Sequence, residues 1–193
     1  RVGVPVVSVG GITAGGAGKT PAVIHLARLL AARGRHVAVV SRGYGGNPGP
    51  TPLMVSPGGW SGRDPHQPFP GADRAGDEPL LIAAHAPEAC VFVHPDRVGA
   101  ARAAVAHGAD LIVLDDGFQH RRLARNLDLV LLDARSPFGN GRLLPAGPLR
   151  DLPARLREAG AILLTRADAA GPEACARAAA RVSLASSAPV VRF

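Results

Sequence analysis

The stretch that most constrains this chain is residues 4–33, where an apolar run, a glycine-rich turn and a helical pattern follow one another without a break. Val4-Pro5-Val6-Val7-Ser8-Val9 reads as a strand buried on both faces. Residues 20–33 then place Val23, Ile24, Ala27, Leu30 and Ala31 on one helical face, and Gly34 ends the helix. A strand that passes through glycines into a helix suits an anion, because the glycines let backbone N–H groups face inward at the helix N-terminus. Thr13-Ala14-Gly15-Gly16-Ala17-Gly18-Lys19-Thr20 fits the phosphate-loop pattern G-x-x-x-x-G-K-[ST] except at its first position, where threonine replaces glycine. In that pattern Lys19 reaches the β/γ-phosphates and the Thr20 hydroxyl binds Mg²⁺. A glycine-rich turn that binds nothing shares part of the pattern, and composition separates the two. Of 22 basic residues 21 are arginines, and the single lysine is Lys19, at the one place where a compact ammonium is wanted rather than a planar fork.

Apolar runs continue to alternate with helical patterns along the chain. Strands are expected over 36–41, 89–93, 111–114, 127–132 and 161–164, and helices over 77–85, from a cap at Asp96 to 106, and over 173–182. Residues 43–76 read as a long Gly/Pro-rich loop with one hairpin at Leu53-Met54-Val55, and 134–150 as a second such loop. Strands buried on both faces and separated by helices mean a mostly parallel sheet. The expected fold is α/β, a three-layer P-loop NTPase-type domain, with 1–193 forming one lobe.

Leu111-Ile112-Val113-Leu114 runs into Asp115-Asp116. Acids at strand ends of open α/β sheets face the ligand crevice, so these two are candidate Mg²⁺ carboxylates, with Asp115 the better placed. A helix-capping Asp is the other reading of either. The formal charge of +7 fits an anionic substrate or an anionic membrane surface. Aromatics make up 4% and no basic run alternates with them, so nucleic acid is not expected as a partner. Cys90 and Cys175 form neither a disulfide framework nor a metal pattern, and a cytosolic chain is expected.

Six segments together resemble one family, the tetraacyldisaccharide 4′-kinases, which phosphorylate a lipid A precursor. They are VGGITAGGAGKTP (9–21), SRGYGG (41–46), GDEPLLIA (76–83), PDRVGAAR (95–102), LDDGFQHRRLARNLDLVLLDA (114–134) and GNGRLLPAGPLR (139–150). Thr13 fits this family's loop, which looks like T-x-G-G-x-G-K-T; Gly11 departs from it, where members typically carry Asn. The resemblance implies an ATP- and Mg²⁺-dependent transfer to the 4′-hydroxyl of tetraacyldisaccharide 1-phosphate at the cytoplasmic face of the bacterial inner membrane, with no specific protein partner. It also implies that Asp77 is the catalytic base; an Asp before Glu-Pro-Leu-Leu is equally a good helix N-cap. Glu78 supports Mg²⁺ or only favours the first helical turn. Gln119 and His120 orient substrate or phosphate, and His120 counts with Asp77 and Lys19 among the catalytic candidates. Arg97 contacts phosphate or pairs at a helix start. Arg42, in SRGYGG, lies where it closes over nucleotide or sugar. Arg121, with Arg122 and Arg125, meets an anionic headgroup or covers a solvated face.

Members of the family usually carry an N-terminal apolar helix and a second lobe, so this chain is expected to be the core lobe. Two other functions stay open: another P-loop kinase or GTPase acting on a soluble molecule, and a nucleotide-binding module without turnover. Thr165-Arg166-Ala167-Asp168 is similar to a GTPase base-reading segment with Arg for Lys, too short a likeness to indicate guanine.

Overall fold

The computed structural model describes residues 1–62 and 68–193; the part of the expected 43–76 loop at 63–67 lies outside the described residues. The chain divides into two compact units, residues 1–7 with 20–126, and residues 8–19 with 127–193. Strand β1 (Val6–Gly10) begins in the first and ends in the second.

In the first unit, helix α1 (Lys19–Ala31), whose first residue still belongs to the second unit, is followed by β2 (Val37–Ser41), β3 (Leu53–Pro57), α2 (Ala72–Ala75), α3 (Asp77–His85), β4 (Cys90–Val93), α4 (Arg97–Ala106) and β5 (Leu111–Asp115). The strands lie in the order β3-β4-β2-β5. β2 is parallel to both neighbours, with Val39 opposite Val91 on β4 and Val113 on β5. All five residues of β2 and of β5 are buried, which is why these segments read as unbroken apolar runs. Ala100, Ala101 and Ala104 of α4 are fully buried in the same core as Ala38, Val40, Phe92 and Ile112. Their small side chains let the helix sit close against the strands.

Among the described residues the expected hairpin is not found. Leu53-Met54-Val55 does make a strand, but β3 pairs antiparallel with β4, with a bulge between Met54 and Ser56. A short apolar run specifies a strand, not its partner. Asp96 stands at the N-cap position of α4, but its side chain makes no capping hydrogen bond; its carboxylate lies 3.9 Å from Arg122.

In the second unit, β6 (Leu127–Asp133), β7 (Ala161–Thr165) and β8 (Val190–Arg192) are parallel neighbours, with Leu132 opposite Leu164 and Leu164 opposite Arg192. Helices α5 (Ala167–Ala170) and α6 (Pro172–Ser183) link β7 to β8. Strand β8, α5 and a 3₁₀ segment at Pro153–Glu158 have no counterpart in the sequence reading. The α/β class and the mostly parallel sheet agree with it.

Candidate functional site

The phosphate loop leaves β1 in the second unit and is held by the residues around Leu149. Ala14 N–H donates to Pro148 O at 2.7 Å, Arg150 N–H donates to Ile12 O at 2.7 Å, and Thr13 bridges Leu149. Two glycines supply turns that other residues resist: Gly15 at φ 95° and Gly18 at φ 77°. From the other side the loop rests on Thr165, the last residue of β7. Its hydroxyl is buried and donates to Ala17 O at 3.0 Å and to Leu132 O at 3.3 Å. Gly11, the departure from the family pattern, has Leu131 O only 3.1 Å from where a Cβ would stand. Helix α1 then begins on Lys19, and no acidic residue occupies its first turn. The positive end of that helix is therefore left for an anion.

In the first unit the carboxylates gather where the parallel strands end. Asp115 closes β5 and is 2% exposed, and Ser41, the buried last residue of β2, donates its hydroxyl to Asp115 Oδ2 at 2.8 Å. Burial pushes the Asp115 carboxyl up to about 6; the Ser41 bond opposes this, Glu78 and Asp116 add to it, and Arg97 opposes it. Glu78 and Asp116 therefore stand close enough for their charge to be felt at Asp115. Asp116 turns the chain with φ 46°, a conformation Asp tolerates better than most residues. Its carbonyl accepts from Arg97 Nη1 at 2.8 Å, and Arg97 is itself only 7% exposed.

The turn that follows is tied from within. His120 N–H donates to Gly117 O at 2.8 Å, and Arg125 Nη1 donates to His120 O. His120 Nε2 is buried and has no hydrogen-bond partner among the described residues. Burial holds the His120 pKa below its ordinary value, and the charges of Arg97, Arg122 and Arg125 lower it further. The imidazole is thus neutral near pH 7 and has a nitrogen to offer.

Asp77 and Glu78 are the first two residues of α3, and both are exposed. The capping alternative for Asp77 fails: Gly76 holds the N-cap position at φ 80°, with no side-chain cap. The SRGYGG turn packs against this helix start. A Cβ on Gly76 would lie 2.5 Å from Tyr44 O, and one on Gly46 would lie 2.5 Å from Gly76 N. Only glycines allow that approach, so the turn after β2 fixes where Asp77 begins its helix. Arg42 and Arg121 are exposed, and no described contact joins either to the acids; Gln119 is half-buried in the turn.

The structure thus brings together Asp115, Asp116, Glu78, Arg97 and His120 in one unit, and Thr13 to Lys19 in the other, with Thr20 following on α1. Sequence reasoning missed Ser41 and Thr165 as supports. Each is a hydroxyl ending an otherwise apolar strand, and that is the signal that marks them.

A sequence model of the LpxK family, tetraacyldisaccharide-1-P 4′-kinase, matches residues 1–192. The chain belongs to this family. It is 53% identical over 171 residues to a tetraacyldisaccharide 4′-kinase of Anaeromyxobacter sp. (strain Fw109-5), covering 88% of this chain and 44% of the relative. It is 51% identical over 174 residues to that of Anaeromyxobacter dehalogenans (strain 2CP-C), covering 90% and 44%. The chain therefore spans less than half the length of these family members. A crystal structure of LpxK from Aquifex aeolicus in complex with ATP superimposes with a TM-score of 0.72 at 38% identity, over 83% of this chain and 48% of that one.

Proposed function

We propose that this chain is the nucleotide-binding part of an enzyme that transfers the γ-phosphoryl group of ATP to the 4′-hydroxyl of tetraacyldisaccharide 1-phosphate. The observation that carries the proposal is the loop at 13–20, whose backbone opens α1 on the only lysine of the chain. Its backbone N–H groups and Lys19 bind the phosphates, and Lys19 offsets charge on the transferring group. The sugar 4′-oxygen attacks the γ-phosphorus, the bond from that phosphorus to the ADP oxygen breaks, and Asp77 accepts the hydroxyl proton. Asp77 is exposed and free of a capping duty, as a base that must meet a substrate should be.

The acids around Asp115 suit Mg²⁺. A buried carboxyl already raised by two further acids gains from a dication, and Mg²⁺ takes one or two carboxylates and fills its shell with phosphate oxygens and water. Asp115, Asp116, Glu78 and the Thr20 hydroxyl would hold it, and it would draw off charge from the phosphates. Arg42, Arg97, Gln119, His120 and Arg121 are assigned to the phosphorylated sugar.

An acylated substrate needs apolar contact as well. Leu143 and Leu144 are 43% and 54% exposed beside the exposed Arg142, so one turn offers both lipid contact and a cation. With the net charge of +7, this supports a peripheral position at the cytoplasmic face of an inner membrane. No described helix is long and apolar enough to cross a membrane.

The test is to incubate the protein with γ-labelled ATP, Mg²⁺ and tetraacyldisaccharide 1-phosphate in detergent micelles. Label should appear on the lipid. Label released only as inorganic phosphate would refute lipid transfer.

A further inference from the structure

We infer that Ser41 is a positioning residue for the divalent cation: by holding Oδ2 of Asp115 it leaves that carboxylate one oxygen to offer, and so favours Mg²⁺ over Ca²⁺. The inference rests on the reading of Asp115 as a Mg²⁺ carboxylate and adds to it a cause for the choice of metal.

Strands β2 and β5 run side by side with Val40 opposite Leu114, so Ser41 and Asp115 end neighbouring strands at the same level. Ser41 is held on its other side as well. It stands opposite Val93 on β4, and His94 N–H donates to Ser41 O at 3.2 Å. The hydroxyl is therefore carried by backbone that is paired toward both neighbouring strands, at a residue 4% exposed. A serine hydroxyl has a single O–H, and this one goes to Asp115 Oδ2 at 2.8 Å. Among the described residues no hydrogen bond reaches Oδ1. The residues before Ser41 are Val37-Ala38-Val39-Val40, a core strand that asks for no polar group. A hydroxyl buried at its end costs free energy unless it is bonded, and its bond is to the carboxylate.

The two cations use a carboxylate differently. Mg²⁺ demands a near-ideal octahedron at about 2.0–2.1 Å, which the narrow bite of a two-oxygen carboxylate distorts. Ca²⁺ takes roughly six to eight oxygens at about 2.3–2.6 Å, and takes carboxylates through one oxygen or both. With Oδ2 accepting from a buried hydroxyl, Asp115 serves as a one-oxygen ligand. That suits the octahedron and denies the larger cation its second oxygen. The same bond fixes the plane of the carboxylate, and a small, rigidly coordinated ion tolerates misplacement less than a large one.

The experiment uses Mn²⁺ as a probe of the nucleotide-free protein, with bound and free Mn²⁺ read by electron paramagnetic resonance. Mg²⁺ or Ca²⁺ is then added to displace it, which gives the affinity of each. The unsubstituted protein should prefer Mg²⁺. Ser41→Ala frees Oδ2, and the ratio of Mg²⁺ to Ca²⁺ affinity should fall about tenfold, the lower end of what a lost outer partner costs a metal site. Ser41→Thr keeps a hydroxyl and should keep the ratio, which a merely structural role would not require. Ser41→Cys is close in size but a weak donor, so it should also lower the ratio, and it serves if the alanine protein does not fold. No preference for Mg²⁺ in the unsubstituted protein, an unchanged ratio in Ser41→Ala, or an equal loss for both cations overturns the inference, although Mn²⁺ binding upholds the metal reading. If the unsubstituted protein binds no Mn²⁺, or Asp115→Asn binds it as tightly, the metal reading falls and the inference with it.

Discussion

Replacing Asp115 by Asn should make the ligand-free protein more stable while removing its activity. Asp115 is 2% exposed, and its carboxyl is pushed from 3.8 up to about 6, first by burial. A shift of this size corresponds to roughly 3 kcal/mol at about 1.4 kcal/mol per pH unit. The folded carboxyl keeps its proton to about pH 6, whereas the unfolded one loses it near pH 4. Between those values the folded state binds more protons than the unfolded state. Stability is therefore greatest below pH 4 for this group and falls as pH rises through 6. Asn keeps an oxygen to accept the Ser41 hydroxyl and carries no charge to bury. At about 2–4 °C per kcal/mol for a chain of this size, Asp115→Asn should melt roughly 6–12 °C higher than the unsubstituted protein at pH 7. Thermal unfolding followed by circular dichroism in chelator, from about pH 4 to pH 8, measures this directly. The two melting curves should converge at the acid end and separate as pH rises. Addition of Mg²⁺ and ATP should then raise the melting point of the Asp protein more than that of the variant. A variant that melts at or below the unsubstituted protein at pH 7, or shows the same pH slope, would refute the account of a carboxyl raised by burial.

Two further substitutions probe the supports. Thr165→Val keeps the side-chain shape against Gly18 but removes the donor to Ala17 O and Leu132 O. It should cost about 1–2 kcal/mol in denaturant unfolding and weaken ATP binding several-fold, since a loop carbonyl loses its partner. Arg97→Gln removes a charge that lowers the His120 pKa and also holds Asp115 down. In an NMR titration the His120 ring should move up toward its ordinary value but not reach it, because burial is the larger cause. The loss of the Arg97 bond to Asp116 O should cost about 1–3 kcal/mol.

How much of this was legible in the sequence follows from what each element must bury. β2, β4 and β5 are buried along their whole length, so their apolar runs could be read directly. The helix expected at 77–85 is observed as Asp77–His85, because Pro79 in its first turn and the apolar residues after it fix its start and face. The three residues of β8 and the four of α5 are too short to show a period. The partner of β3 lies more than thirty residues on in β4 and leaves no local mark. Within the candidate site, the loop at 13–20 is marked by its pattern together with the single lysine, and the pair Asp115-Asp116 by its place at the end of an apolar run. Their supports did not stand out, because Ser41 and Thr165 act through bonds to residues far away in sequence. Asp77 was ambiguous until Gly76, at φ 80°, took the capping position.

The central claim is that residues 13–20 hold the nucleotide whose phosphate is transferred, with Lys19 as its cation. It is tested most directly by the rate of label transfer from γ-labelled ATP to tetraacyldisaccharide 1-phosphate in the Lys19→Ala protein, beside the unsubstituted protein. The account predicts a fall of about a hundredfold or more, the scale of losing one preorganised charge at a transferring phosphoryl group. Transfer by Lys19→Ala at the unsubstituted rate would contradict it.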